Sequence, residues 1–206
     1  VSETALLLIR HAESSWNAAD RWQGHGDPPL SDRGVAQANA LVSELVPEKI
    51  DIVVSSDLRR AAETAAILAE ARGLRPLLNP RLRELDIGDW AGLTRGQIER
   101  AAGAVLRRFD DGDLDVRPGG GENLREMLQR AHSAVSELVD AHPGRRLAIV
   151  THLGVIRALF GESSVFASGS GDGFGNASWR HLAPTRVFDS VVGEDAAPIR
   201  SRGANL

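Results

Sequence analysis

Apolar residues along this chain fall into short unbroken runs and longer stretches at helical spacing. Ala5-Leu6-Leu7-Leu8-Ile9 has no polar break, the pattern of a strand buried on both faces, as in a parallel sheet. Ile50-Asp51-Ile52-Val53-Val54-Ser55 and Leu147-Ala148-Ile149-Val150 read as further strands. Residues 76–79 add a short one, and 179–192 leave room for one or two more. Helical patterns lie between them. Residues 34–45 are opened by Ser31 as N-cap and stopped by Pro47, and residues 59–72 are Ala-rich and stopped by Gly73. Residues 95–109 and 124–141 follow, the latter with Met127, Leu128, Ala131, Val135, Leu138 and Val139 at helical spacing; 155–160 begins another helix. Strands alternating with helices predict an α/β fold, three-layer α/β/α with a mostly parallel central sheet.

Residues 23–29, 82–90, 110–122 and 161–175 read as loops. The stretch 110–122, acidic and then glycine-rich, is expected to be the most flexible interior segment, and it is too short for a domain linker. One domain over residues 1–206 is expected, with a loosely ordered tail from about residue 193.

Composition mainly removes alternatives. The chain has no Cys, which excludes disulfides, thiolate zinc sites and cysteine nucleophiles. The net charge of −4 supplies no bulk attraction to nucleic acid or an anionic membrane. No apolar run approaches a membrane span, and no charged region precedes the first apolar run, so a cytoplasmic protein is expected. Lys49 is the only lysine, so arginine carries nearly all the positive charge.

The chemistry gathers where strands end. The first strand runs into Arg10 and His11, then Glu13, Ser14 and Asn17; the strand 147–150 runs into His152; the strand 50–55 leads into Ser56-Asp57-Leu58-Arg59-Arg60. Ligands of open α/β sheets bind outside the carboxyl ends of the strands. If these three strands are parallel neighbours, two histidines and an arginine meet at one sheet edge, which makes an anion site. Without Cys and without an HExxH spacing, a metal site is the poorer alternative.

Arg10-His11-Ala12-Glu13 with Trp16-Asn17 resembles the Arg-His-Gly-Glu motif of the histidine phosphatase superfamily, also called phosphoglycerate mutase-like. Ser56-Asp57-Leu58-Arg59-Arg60-Ala61 with Thr64-Ala65 is similar to its second arginine motif, and Leu82-Arg83-Glu84 through Gly88-Asp89-Trp90-Ala91-Gly92-Leu93 to its acid motif. Gly120-Gly121-Glu122-Asn123 and Thr151-His152-Leu153-Gly154-Val155-Ile156-Arg157 complete the set, in family order. The resemblance implies the phosphoglycerate mutase-like fold and phosphoryl chemistry without metal or cofactor. It makes His11 the nucleophile, places Arg10, Arg60 and His152 on the phosphoryl oxygens, and makes Glu84 the acid and base. Asn17, with backbone N–H groups near Gln23, Gly24 and Leu153, adds hydrogen bonds. Arg60 takes the family position before Ala61, leaving Arg59 as a solvated charge.

Two residues depart from the pattern: Ala12 stands for the usual Gly, and Leu153 for the Gly after the second histidine, adding bulk expected near the pocket. Glu13 is expected as a structural partner; His25, in a Gly-flanked loop, is a candidate substrate contact, with an exposed loop histidine as the plainer reading. His132, His142 and His181 match no motif. Trp22 and Trp90 are expected at the pocket wall, Trp90 alternatively in the core. Arg107 and Arg108 fall where mutases hold a substrate carboxylate, against an exposed basic helix face as the plainer reading.

True mutases carry a long insertion before the Gly-Glu motif, where this chain has a short acidic stretch, and Gln23-Gly24 is similar to the phosphatase branch. Together these favour hydrolysis of a small phosphomonoester. Residues 88–90 and 175–179 resemble members acting on sugar-phosphate or phosphoglycerate-type substrates. A cofactor-dependent phosphoglycerate mutase, a phosphoprotein phosphatase and a non-catalytic phosphate-binding module stay as alternatives, and a homodimer stays open.

Overall fold

The computed structural model describes residues 4–161 and 174–182. Its strands form one sheet of order β3-β2-β4-β1-β5. β1 (Ala5–Arg10), β4 (Arg146–Thr151), β2 (Ile52–Ser55) and β3 (Leu77–Leu78) run parallel, and β5 (Trp179–Leu182) pairs antiparallel with β1. This is the expected α/β architecture.

The unbroken apolar runs are explained by burial on both faces. Side chains alternate across a strand, so Leu6 and Leu8 join Leu147 and Ile149 on one face. There they pack with side chains from α4 (Arg95–Asp110), α5 (Leu124–Ala141) and α6 (Leu153–Leu159). Leu7 and Ile9 join Val53, Ala148 and Val150 on the other face, under α2 (Asp32–Glu44) and α3 (Arg59–Glu70). Each such Leu, Ile or Val side chain contributes roughly 1.5–3 kcal/mol by leaving water.

Several boundaries differ from the sequence expectation, for local reasons. α2 starts at Asp32, directly after Ser31, whose side chain accepts the Gly34 N–H. β2 starts at Ile52. α6 starts at Leu153 because extended His152 is itself its N-cap. A short helix, α1 (Ser15–Ala18), was not expected; Ser14 and Asn17 form a capping box around it.

The stretch 110–122 is packed over its second half. Val116 is buried, and a 3-10 turn, Pro118–Gly120, packs on the turn Gly88–Trp90. A Cβ at Gly121 would lie 2.1 Å from the Asp86 carbonyl oxygen, and one at Gly119, where φ is +57°, 2.2 Å from that of Ile87. These glycines are there because two backbones touch, not because the segment needs freedom. Of the stretch 161–175 only residues 161, 174 and 175 are described; residues 183–192 of the stretch 179–192, and the tail from about 193, lie outside the described residues. No helix among the described residues is long and apolar enough to cross a membrane.

Candidate active site

β2, β4 and β1 are adjacent and parallel, so Ser56, His152 and His11 leave the sheet at the same edge. His11 is 4% exposed. Its Nδ1–H donates to the Ala12 carbonyl at 2.7 Å, which leaves the Nε2 lone pair on the other side of the ring. That atom accepts from Arg60 Nε at 3.3 Å. The His152 ring lies 5.1 Å from the His11 ring, tilted by 59°. Its Nε2 shares a 2.9 Å hydrogen bond with Ser56 Oγ, and its buried Nδ1 has no hydrogen-bond partner among the described residues.

Arg60 is 1% exposed on the first turn of α3. Its Nη1 and Nη2 donate to the carbonyls of Gly26 and Gly24 at 2.8 and 2.9 Å. The loop that feeds β1 chemistry into α2 is thereby tied to α3. Arg59, by contrast, is exposed and paired with Glu63 at 2.6 Å. Arg10 donates from Nη1 to the Phe174 carbonyl at 2.6 Å. Glu84 accepts from the Leu85 N–H at 3.0 Å and, with its other oxygen, from the Gly154 N–H at 3.1 Å. Its carboxylate therefore sits beside His152 at the start of α6.

Asn17 and Gln23 brace the loop after His11. Asn17 Oδ1 accepts from the Ser14 N–H and hydroxyl, both at 3.1 Å, and Gln23 Oε1 accepts from the same hydroxyl at 2.7 Å. Gly24, with φ of +48°, lies where a Cβ would meet the Ile87 side chain at 2.4 Å. Leu153 is partly buried against the core, and Ala12 is fully buried beside Leu30 and Ala38. Glu13 accepts from Ser31 Oγ at 2.7 Å, a structural contact.

Burial, then the charges of Arg60 and Arg10, hold His11 well below the ordinary imidazole range, against the opposing Ala12 carbonyl contact. His152 is held down by burial, then by Arg60, His11, Arg130 and His25. Burial pushes Arg60 down to about 10, opposed by Glu84 and Asp27; it remains a cation at neutral pH. Both histidines are thus neutral when folded, while in the unfolded chain they titrate near about pH 6.5. Below that pH the unfolded state binds more protons, so their contribution is present above about 6.5 and is lost as pH falls, until the depressed folded values are reached. The expected slope is up to about 1.4 kcal/mol per pH unit for each histidine. Urea midpoints measured between about pH 7 and pH 5 should fall, and His152→Asn should reduce the slope; midpoints insensitive to pH in both proteins would contradict this.

Not every residue of this region is marked by a motif in the sequence. Arg130, on α5, reaches under Glu84 and is paired with Glu122. Glu122 belongs to the Gly-Gly-Glu-Asn motif at residues 120–123, whereas nothing local in the sequence marks Arg130. His25 is not an exposed loop histidine: its Nε2–H donates to the Glu84 carbonyl at 2.9 Å, and its Nδ1 is 3.8 Å from the Asp86 carboxylate. Trp22, Trp90 and Phe109 form an aromatic cluster, with Trp90 in the core. Arg107 and Arg108 are exposed on α4, and Arg108 is bound to Asp113 at 2.8 Å. His132 is buried, His142 caps α5, and His181 lies 3.4 Å from Glu48. Among the described residues no three His, Asp or Glu side chains gather closely enough to hold a metal ion.

This arrangement, a neutral imidazole presenting a lone pair among guanidinium groups with a carboxylate close by, is suited to a phosphoryl group. The family model of the histidine phosphatase superfamily (branch 1) matches residues 6–186. Phosphoglycerate mutase-like protein 4 of Arabidopsis thaliana is 40% identical over 163 residues, 78% of this chain and 71% of that one. Glucosyl-3-phosphoglycerate phosphatase of Mycobacterium tuberculosis is 37% identical over 202 residues, 90% of each. The structure of a mycobacterial glucosyl-3-phosphoglycerate phosphatase in complex with VO3 superposes with a TM-score of 0.76 at 36% identity, covering 87% of this chain and 90% of the other. The chain belongs to branch 1 of the histidine phosphatase superfamily, and it is a phosphatase of that family.

Proposed function

We propose that the protein hydrolyses a small phosphomonoester of the sugar-phosphate or phosphoglycerate type, without metal, through a phosphohistidine on His11. The observation that carries this reading is the His11 ring: Nδ1–H is committed to the Ala12 carbonyl, so Nε2 is the nucleophilic atom, and burial among cations keeps it unprotonated. Nε2 attacks phosphorus in line, the N–P bond forms and the bond to the leaving oxygen breaks. Protonated Glu84 gives its proton to that oxygen. Glu84, now a carboxylate, takes a proton from water as the water oxygen attacks phosphorus. The N–P bond breaks, phosphate leaves and neutral His11 is restored. Arg10, Arg60 and His152 Nδ1 hold the equatorial oxygens, where charge is spread in a loose transition state. Asn17 and the N–H groups near Gln23, Gly24 and Leu153 add hydrogen bonds.

The substrate class draws support from the mycobacterial relative, a glucosyl-3-phosphoglycerate phosphatase that is matched over 90% of its length. Arg108 is engaged with Asp113 on an exposed helix face, which disfavours a mutase-type carboxylate clamp there. The test is phosphate release from nitrophenyl phosphate and then from sugar phosphates and phosphoglycerates, all in excess chelator. Undiminished release in chelator is expected, while release that requires added metal would sink the mechanism. A coupled phosphoglycerate isomerisation assay is expected to show hydrolysis and no mutase turnover.

A further inference from the structure

Beneath Glu84 lies a second charged group that the reaction scheme above leaves unused. Arg130 projects from α5 into the loop that carries the acid. Its Nη1 donates to the carbonyls of Arg81 at 2.9 Å and Arg83 at 2.6 Å, and its Nη2 donates to the carbonyl of Glu84 itself at 2.8 Å. Its Nε donates to Glu122 Oε2 at 2.9 Å, and Nη2 also reaches Glu122 Oε1. Glu122 completes the ring from the other side: Oε1 accepts the Asp86 N–H at 2.9 Å, and the Glu122 N–H donates to the Asp86 carbonyl at 3.1 Å. Both side chains are largely shielded, at 19% and 16% exposed.

A guanidinium is planar and offers five donors in a fixed fork. Here one guanidinium gathers three carbonyls between residues 81 and 84 and is neutralised by a carboxylate that grips residue 86. The acid at residue 84 is the last residue of the first grip and stands two residues before the second. Among the described residues its own carboxylate accepts backbone N–H groups from Leu85 and Gly154, and neither sets where the backbone beneath it stands. A displacement of about 1 Å is enough to cost on the order of 100-fold in a positioned catalytic group.

We infer that the Arg130–Glu122 pair is a positioning device for Glu84, holding its carboxyl where proton transfer to the leaving oxygen takes place. This rests on the acid role proposed for Glu84 above. Arg130 touches no reacting atom; it acts through the backbone of the acid loop. Lysine at this position would keep the charge but could not reach three carbonyls and two carboxylate oxygens in one plane.

The distinguishing readout is dependence on the leaving group. Proton donation matters most when the leaving oxygen is basic, and least when it departs readily as an anion. kcat/KM is measured for a graded series of aryl phosphates, from phenyl to dinitrophenyl, in the native protein and in Glu84→Gln, Arg130→Lys, Arg130→Met and Glu122→Gln. Thermal unfolding identifies folded variants; should Arg130→Met fail to fold, Arg130→Lys and Glu122→Gln carry the test. Glu84→Gln is expected to steepen the dependence on leaving-group acidity. Arg130→Lys is expected to steepen it in the same sense, with phenyl phosphate losing about 10- to 100-fold and dinitrophenyl phosphate less than about 3-fold. Glu122→Gln should follow with a smaller change. If Glu84→Gln steepens the series and the folded Arg130 and Glu122 variants lower all members equally or none, the positioning role is overturned and the acid role stands. If Glu84→Gln leaves the slope unchanged, the acid role fails, and the positioning role with it.

Discussion

His11→Ala should lower phosphate release by about four to six orders of magnitude while leaving the protein folded. The size follows from what is removed. In the proposed scheme Nε2 forms the covalent intermediate, and the neighbouring His152 shares its own Nε2 with Ser56. Arg10, Arg60 and Glu84 would still surround the phosphoryl group, but no nitrogen would stand in line behind phosphorus. His11 makes one side-chain bond to the neighbouring Ala12 carbonyl and accepts one from Arg60. Loss of the ring therefore leaves a small cavity and two polar groups that the pocket can hydrate, a change of about 1–3 kcal/mol. Rapid quench with labelled substrate should trap an acid-labile, base-stable phosphoprotein in the native protein and none in His11→Ala. A variant that keeps even a tenth of native turnover, or still traps the label, would refute His11 as the nucleophile.

Arg60→Met should lower kcat/KM by about three orders of magnitude, because a buried cation aimed at developing charge is worth several kcal/mol in a water-poor site. Methionine keeps much of the stem volume, so the loss is mainly electrostatic. A second consequence separates this from general damage. Arg60 is, after burial, the main influence that holds His11 below the ordinary imidazole range. Removing it should let His11 take a proton more readily, so the acid limb of kcat/KM against pH should move upward. The substitution also strips the Gly24 and Gly26 carbonyls of their donor, at a cost of about 1–3 kcal/mol to stability. Arg60→Lys should recover part of the rate. An unshifted acid limb in a folded Arg60→Met protein would show that Arg60 does not tune His11.

How much of this could be read without a fold depends on the range over which each signal acts. The α/β class was legible because burial on two faces writes itself locally: Leu6 to Ile9 has no solvent side, so no polar residue interrupts it. Strand-end chemistry was visible for the same reason, since His11 and His152 directly follow such runs. One helix start was visible as a cap at Ser31. The functional likeness came from five short motifs in order, each carrying its own chemistry.

Other features had no local trace. That β4 inserts between β2 and β1, so that His152 stands beside His11, depends on pairings about 95 and 141 residues apart, such as Ile52 with Leu147 and Leu6 with Leu147. The glycines of 110–122 read as flexibility, yet Gly119 and Gly121 allow two backbones to touch, and a composition cannot distinguish freedom from close approach. Arg130 is an ordinary charged helix residue until α5 docks and its fork meets carbonyls 46 to 49 residues earlier. His25 acquires a partner only when the Glu84 carbonyl arrives. By itself the sequence determined which segments are buried, which ends carry reactive groups and which family they belong to. The tertiary structure alone decided which neighbours those groups meet, because hydrogen-bond partners and pKa values are set by contacts across space rather than along the chain.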